Sequence, residues 1–390
     1  MTEVVIVGGG VMGASLAFWL TELGHPPGAV TVVERDPSYA RAASTLTNSC
    51  IRQQFGNPLN VAISQFGVEY LKAFPELCRD PRVPRVHLHA FGYLYLAANA
   101  AQAERLRAAH AVQQAAGAGT VLMTPDEIAA RWPFYRLDGV VLGSWGARDE
   151  GYFDGGTLFE WWRRLARERG VRFLHDEVTA VSTAGGRVRG VTLARGGPLG
   201  ADIVVNAAGT RAPLLARMVG LDLPVEPRRR YTWVFEARRP PTADLPLTID
   251  PSGIHVRSDG AWFMAGATPD PDPAVDPDDF AEDHALWEER IWPLLAARIP
   301  AFEEVRIRRS WAGHYDLNTL DANAILGPHP ELDGFWIMTG FSGHGLQQSP
   351  AMGRGLAERI VHGRYVSLDL GPFGPERLAR REPFPELAVI

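Results

Sequence analysis

Val4-Val-Ile-Val-Gly-Gly-Gly-Val-Met-Gly13 is a short apolar strand that runs straight into a GxGxxG loop, and residues 16–23 continue with helix-compatible periodicity. Each glycine answers a physical need. Gly8 allows the tight turn, Gly10 lets the backbone approach a pyrophosphate, and Gly13 lets helix and strand pack closely, with Val11 and Met12 completing the loop. Phosphates then sit on the helix N-terminus among unpaired N–H groups. A second apolar run, 29–33, ends in Glu34 with Arg35 beside it. An acid roughly 20 residues past such glycines accepts hydrogen bonds from an unphosphorylated adenosine ribose. Strand, loop, helix, strand and acid in this order predict a dinucleotide site, with NAD and FAD both open at this point.

The chain has 390 residues. Single cores stop growing beyond ~250–300 residues, so two lobes are expected. A net charge of -6 argues against nucleic acid or an anionic membrane as the main partner. Lys72 is the single lysine, so basic charge is almost wholly arginine. Cys50 and Cys78 are too few for a disulfide framework or a cysteine-rich metal site, and no metal is expected. They fit a reduced cytoplasmic setting. No apolar stretch reaches the ~18 residues of a membrane span.

Periodicity predicts helices over 59–74, 101–118 and 158–169, and a short one opened by Thr124-Pro-Asp-Glu. Residues 86–97 alternate like a strand, and 171–174, 178–181, 188–193 and 202–206 read as short strands, with glycine turns at 185–186 and 196–197. Stretches 229–236, 247–249, 254–256 and 261–265 read as strands of a second, partly antiparallel lobe. The Pro/Asp run 269–279 reads as a solvated surface loop before a helix around 281–299. A last strand, 335–339, feeds Gly340-Phe-Ser-Gly-His-Gly-Leu-Gln-Gln-Ser-Pro350 and a helix over 351–361, with Pro350 in its first turn. Gly343 and Gly345 permit close backbone approach, and converging N–H groups here suit the negative charge of a reduced flavin. His344, bracketed by glycines, has two readings: a hydrogen-bonding loop histidine, or a substrate or flavin contact.

With these landmarks the chain resembles the FAD-dependent D-amino-acid oxidase-like superfamily, and within it the monomeric sarcosine oxidase and sarcosine or dimethylglycine dehydrogenase branch. The resemblance rests on the opening glycine loop, Cys50-Ile-Arg-Gln-Gln-Phe-Gly56, Val204-Val-Asn-Ala-Ala-Gly209 and Gly340-Phe-Ser-Gly-His-Gly345. It is also similar, through Ile-Arg-Gln-Gln-Phe and Gly-His-Gly-Leu-Gln-Gln-Ser-Pro, to a flavoprotein associated in animals with respiratory complex assembly. The implied fold is α/β, α+β in the second lobe. A Rossmann-like FAD-binding lobe would use 1–83, 151–215 and 320–390, and a substrate lobe on a largely antiparallel sheet would use 84–150 and 216–319. The resemblance adds Val178, Ala208, Gly209, Leu346 and Gln347 to the cofactor contacts. It places Arg52 on a substrate carboxylate, a role a planar guanidinium suits, and puts Tyr315 and, more loosely, His255 and Arg257 beside the substrate.

Two departures refine this expectation. Covalent-flavin members carry a cysteine where Gly313 stands, so FAD is expected to be noncovalent, with His314 read as an ordinary loop histidine ahead of an alternative attachment point. The sarcosine oxidases place a lysine where Gln347 stands; a neutral amide offers no fixed charge to a forming superoxide. The expectation is therefore an FAD-dependent dehydrogenase of a small secondary or N-methyl amino acid, with a separate electron acceptor. A 2-hydroxy acid dehydrogenase, which needs a base such as His344 or His255, and an assembly flavoprotein with little catalysis are the alternatives. Oligomeric state is not readable.

Overall fold

The computed structural model describes residues 2–387. Val4–Val7 lies inside a six-stranded sheet ordered Ile325–Pro328, Phe335–Thr339, Ile203–Asn206, Val4–Val7, Val30–Glu34, Arg172–His175. All pairings are parallel except that of the first two strands. A parallel sheet is covered on both faces, which is why its strands are almost continuously apolar. Val4, Ile6, Val30 and Val32 pack under the helices Val11–Glu22, Gly155–Arg169 and Gly345–His362. Val5, Val7 and Val33 point the other way, into a core shared with the antiparallel sheet Val178–Ala184, Arg187–Leu193, Gly197–Gly200.

The second large sheet has eight strands, ordered Val305–Asn318, Val225–Ala237, Trp262–Ala267, Ile254–Asp259, Leu247–Ile249, Tyr93–Ala97, Leu142–Gly146, Thr120–Met123. Only Leu247–Ile249 and Tyr93–Ala97 run parallel. Alternation divides its residues sharply. Tyr231, Trp233, Phe235, Ile254, Val256, Phe263, Ala265, Leu94 and Leu96 fill one core, closed by the helix Trp292–Arg298 and by Ile128 of Pro125–Arg131. Their neighbours in sequence face the other way. The mixed α/β architecture agrees with the expectation.

Four local readings change. The helix after the second glycine loop begins at Gly345, six residues earlier than expected, and Pro350 lies inside it. The early start is possible because Pro350 withholds only the N–H that would reach the Leu346 carbonyl, and the Ser349 hydroxyl donates to that carbonyl instead (2.7 Å). The 86–97 stretch breaks at Gly92, whose φ is +87°, leaving Leu88–His89 and Tyr93–Ala97. Gly197 opens a four-residue strand, Gly197–Gly200, instead of only a turn. His314, weighed as a loop residue, is inside the strand Val305–Asn318. Met1 and residues 388–390, the outer limits of the expected cofactor-lobe segments, lie outside the described residues.

Candidate functional site

A cavity of about 770 Å³ lies where the ends of Val4–Val7 and Val30–Glu34 meet the free face of the eight-stranded sheet. At one end is the first glycine loop. Gly8 has φ +104°, and a Cβ there would strike the carbonyl of Ala207; one at Gly13 would strike the carbonyl of Gly8. Gly10 has no side chain with which to cap the first helix; Ser44 Oγ accepts from the Val11 N–H (2.9 Å), and this N-terminus faces the cavity, where it suits an anionic ligand. Gly8, Gly10, Val11, Met12, Glu34, Arg35, Val178, Ala208 and Gly209 all line the cavity. Gly13 does not; it serves the packing beneath. Glu34 has a second task, accepting from the backbone N–H groups of Gly9 (2.8 Å) and Asp36 (2.8 Å). These features fit a dinucleotide.

The second glycine loop closes the other side. Gly343, His344, Gly345, Leu346 and Gln347 line the cavity, and the N-terminus of the 18-residue helix Gly345–His362 opens onto it without a side-chain cap. Sequence reasoning missed Asp316, whose Oδ2 accepts from Gly340 N–H (2.8 Å) and Phe341 N–H (3.2 Å) and so sets the loop's shape. Burial pushes its carboxyl upward despite those bonds.

Arg52 also lines the cavity and is 3% exposed. Its guanidinium lies 4.6 Å from the Phe55 ring centroid and 5.8 and 5.9 Å from those of Tyr93 and Tyr95, and donates to His344 Nε2 (3.1 Å). The surrounding rings hold the charge by cation–π attraction. Its backbone strap is held from three distant places. Gln347 Oε1 accepts from Arg52 N–H (3.0 Å), Glu150 Oε1 from Gln53 N–H (2.8 Å), and Glu386 Oε1 from Gly56 N–H (2.9 Å). Burial pushes Glu150 up to about 7. His344 is buried, hydrogen-bonded to Arg52 and part of the cavity lining.

The free face of the eight-stranded sheet forms the wall. Thr232, Gly266 and His255 lie in one row across three strands. Asn48 bridges that row: its Oδ1 accepts from Thr232 Oγ1 (3.2 Å) and its Nδ2 donates to His255 Nε2 (3.4 Å). Gly266 leaves room for the imidazole, since a Cβ would come within 2.9 Å of it and 2.6 Å of the Tyr231 carbonyl. Protein packed around the ring, with Arg257 and Arg230 nearby, holds His255 down to about 4. Tyr315 also lines the cavity, stacked under Arg230 at 4.7 Å. Arg257 does not line it; its guanidinium is turned to Asp259 (2.9 Å) and the Asn48 carbonyl (3.1 Å).

The Pro/Asp run 269–279 is more than a solvated loop. Pro277 and Asp278, with the adjoining Phe280, line the cavity, and Asp278 is paired with Arg211 and Arg35. Arg230, Asn48 and Thr232 were overlooked, and the run was read only as a surface loop. For Arg230 and Thr232 the signal is strand parity, because they alternate with the core residues Tyr231, Trp233 and Phe235 of Val225–Ala237.

Among the described residues, no three His, Cys, Asp or Glu side chains could hold a metal ion, and no helix is long and apolar enough to cross a membrane. A family model for FAD dependent oxidoreductases (DAO) matches residues 3–359. The chain is 38% identical to FAD-dependent oxidoreductase domain-containing protein 1 of Xenopus laevis, over 100% of this chain and 85% of that protein. Human mitochondrial sarcosine dehydrogenase is more distant, at 25% identity over 93% of this chain and 40% of that protein. The crystal structure of L-proline dehydrogenase from P. horikoshii superposes with a TM-score of 0.84 at 26% identity, covering 98% of this chain and 99% of that one. The chain belongs to the DAO family of FAD-dependent oxidoreductases.

Proposed function

We propose that the protein oxidises the C–N bond of a small amino acid, a secondary or N-methylated amine, and passes the electrons to an acceptor other than oxygen. The observation that carries this reading is Arg52, a buried guanidinium caged by aromatic rings in the lining of the cavity. Such a group binds a carboxylate in fixed orientation. FAD, held between the two glycine loops, supplies the hydride-accepting chemistry. The cofactor lobe we assign to 1–83, 151–215 and 320–390, the substrate lobe to 84–150 and 216–319.

The chain's own residues orient and exclude. Arg52 fixes the carboxylate, and the N–H groups that open Gly345–His362 favour negative charge on the reduced cofactor. His255, held neutral down to about 4, is a weak base. That favours an amine, whose lone pair drives hydride loss, over a 2-hydroxy acid, which needs its proton taken. Gln347 supplies a hydrogen-bond acceptor to Arg52 N–H and no charge, in keeping with slow reaction with oxygen. Gly313 has no nucleophile and His314 Nε2 donates to the Asp279 carbonyl (2.8 Å), in keeping with noncovalent FAD.

Anaerobic titration of the yellow protein with N-methyl amino acids, cyclic imino acids, primary D-amino acids and 2-hydroxy acids tests the reading. Secondary amino acids should bleach the flavin, and admitted air should restore its colour slowly. Bleaching by 2-hydroxy acids alone, or by nothing except dithionite, would reject it.

A further inference from the structure

Five aspartates crowd the run from Asp270 to Asp279, and three consecutive arginines, Arg228 to Arg230, lie in the strand that faces it. The two are fastened together. At the root of the run, Asp272 pairs with Arg230 (2.9 Å) and Arg228 (3.9 Å), and the backbone joins the strand through Val275 N–H donating to the Pro227 carbonyl (3.0 Å). Beyond Val275 the attachment changes character. Among the described residues, no ladder bond holds the tip, 276–280, to the sheet; it is held by side chains.

Asp278 pairs with Arg211 and with Arg35 (3.9 Å), and Asp279 with Arg229 (3.2 Å). Phe280 stacks on His314 at 4.3 Å, with the Arg41 guanidinium 5.4 Å from its centroid. Arg35 follows the ribose acid Glu34, and Arg211 follows the cavity-lining Gly209, so the tip reaches from the chain of the substrate-side sheet to the dinucleotide side. Pro277, Asp278 and Phe280 then cover cavity that would otherwise be open.

The charges that hold the tip are partly open to water: Asp278, Arg35 and Asp279 are 53%, 41% and 40% exposed, and Arg211 and Arg229 24%. Pairs of this kind are individually weak and are screened by salt. Together they give a closure that is firm at low ionic strength and readily undone. We propose that residues 276–280 are a hinged tip, shut by the Asp278–Arg211–Arg35 cluster, that closes over the adenosine half of the FAD cleft and sets how long FAD stays bound. The root at 272–275 is the hinge. The tip is a retaining device and touches no reacting atom.

Release of flavin from the holoenzyme, followed by fluorescence after dilution, tests this without any substrate. Raising NaCl from 0.05 to 1 M is expected to speed release of wild-type FAD about 10-fold. Asp278→Asn should release at the fast rate already at low salt and lose most of the salt dependence. Asp270→Asn, an exposed aspartate of the same run, should behave as wild type. Phe280→Ala should also release faster, with the salt dependence kept. Salt-independent release by the wild type, or Asp278→Asn and wild type releasing within about twofold of each other, overturns the proposal. Should Asp278→Asn fail to load FAD, the wild-type salt series still decides.

Discussion

Gln347 shows how one residue's chemistry is set by what surrounds it. Its position suggested a gap where a charge might stand; the structure makes it an acceptor for the Arg52 backbone N–H. Leaving that donor buried and unpaired costs about 1–3 kcal/mol and loosens the carboxylate anchor. Gln347→Leu is expected to raise KM for a carboxylate substrate by about 10-fold or more with a smaller change in kcat, while Gln347→Glu, which keeps an acceptor, stays nearer wild type. Steady-state kinetics on both variants checks this. His255 carries a pH prediction. Its folded value of about 4 lies below the ordinary 6.5, so between those limits the unfolded chain takes up a proton that the folded chain refuses. Stability contributed by the neutral ring is complete above about 6.5 and is lost as pH falls towards 4, on the order of 3 kcal/mol. Urea unfolding of wild type and His255→Asn from pH 7.5 to 4 should show the variant losing less. Equal acid slopes for the two would remove His255 from the account.

Among the elements, the first strand, loop and helix were legible because their rule is local: apolar run, glycine spacing and acid occur within a few dozen residues. Gly13 belongs to that rule. A methyl group there meets the Gly8 carbonyl, so Gly13→Ala should force the helix off the strand and leave purified protein largely without FAD, read as its 450 nm absorbance per chain. Other elements were illegible for equally physical reasons. The helix Gly345–His362 starts at a glycine and contains a proline, two features that normally mark an end and a beginning; the packing of Leu346, Ala351, Met352 and Leu356 into the first core, with the Ser349 hydroxyl on the Leu346 carbonyl, keeps that turn helical. The strap around Arg52 takes its acceptors from positions 97, 295 and 330 residues away, distances over which no spacing rule operates. The partners of Arg229 and Arg230 could not be read from spacing because they lie on a loop more than forty residues on, 50 for Arg229–Asp279 and 42 for Arg230–Asp272.

For the whole molecule, the eight-stranded sheet keeps two sets of side chains apart. Phe235 is fully buried in the core face, whereas Thr232 belongs to the cavity wall. Phe235→Ala should lower unfolding free energy by about 3–5 kcal/mol. Thr232→Ala should leave stability within about 1 kcal/mol and alter ligand affinity instead, through the freed Asn48. Chemical denaturation and ligand titration of the two variants separate the effects; a Thr232→Ala as destabilised as Phe235→Ala would show that the faces are not independent. This alternation has a consequence for descent. Because Trp233, Phe235, Ile254, Val256 and Phe263 answer to the core while Arg230, Thr232 and His255, which alternate with core residues, line the cavity, mutation can explore new chemistry at one set while selection for folding acts on the other. A lineage built on such a sheet can change its diet without first learning to fold again.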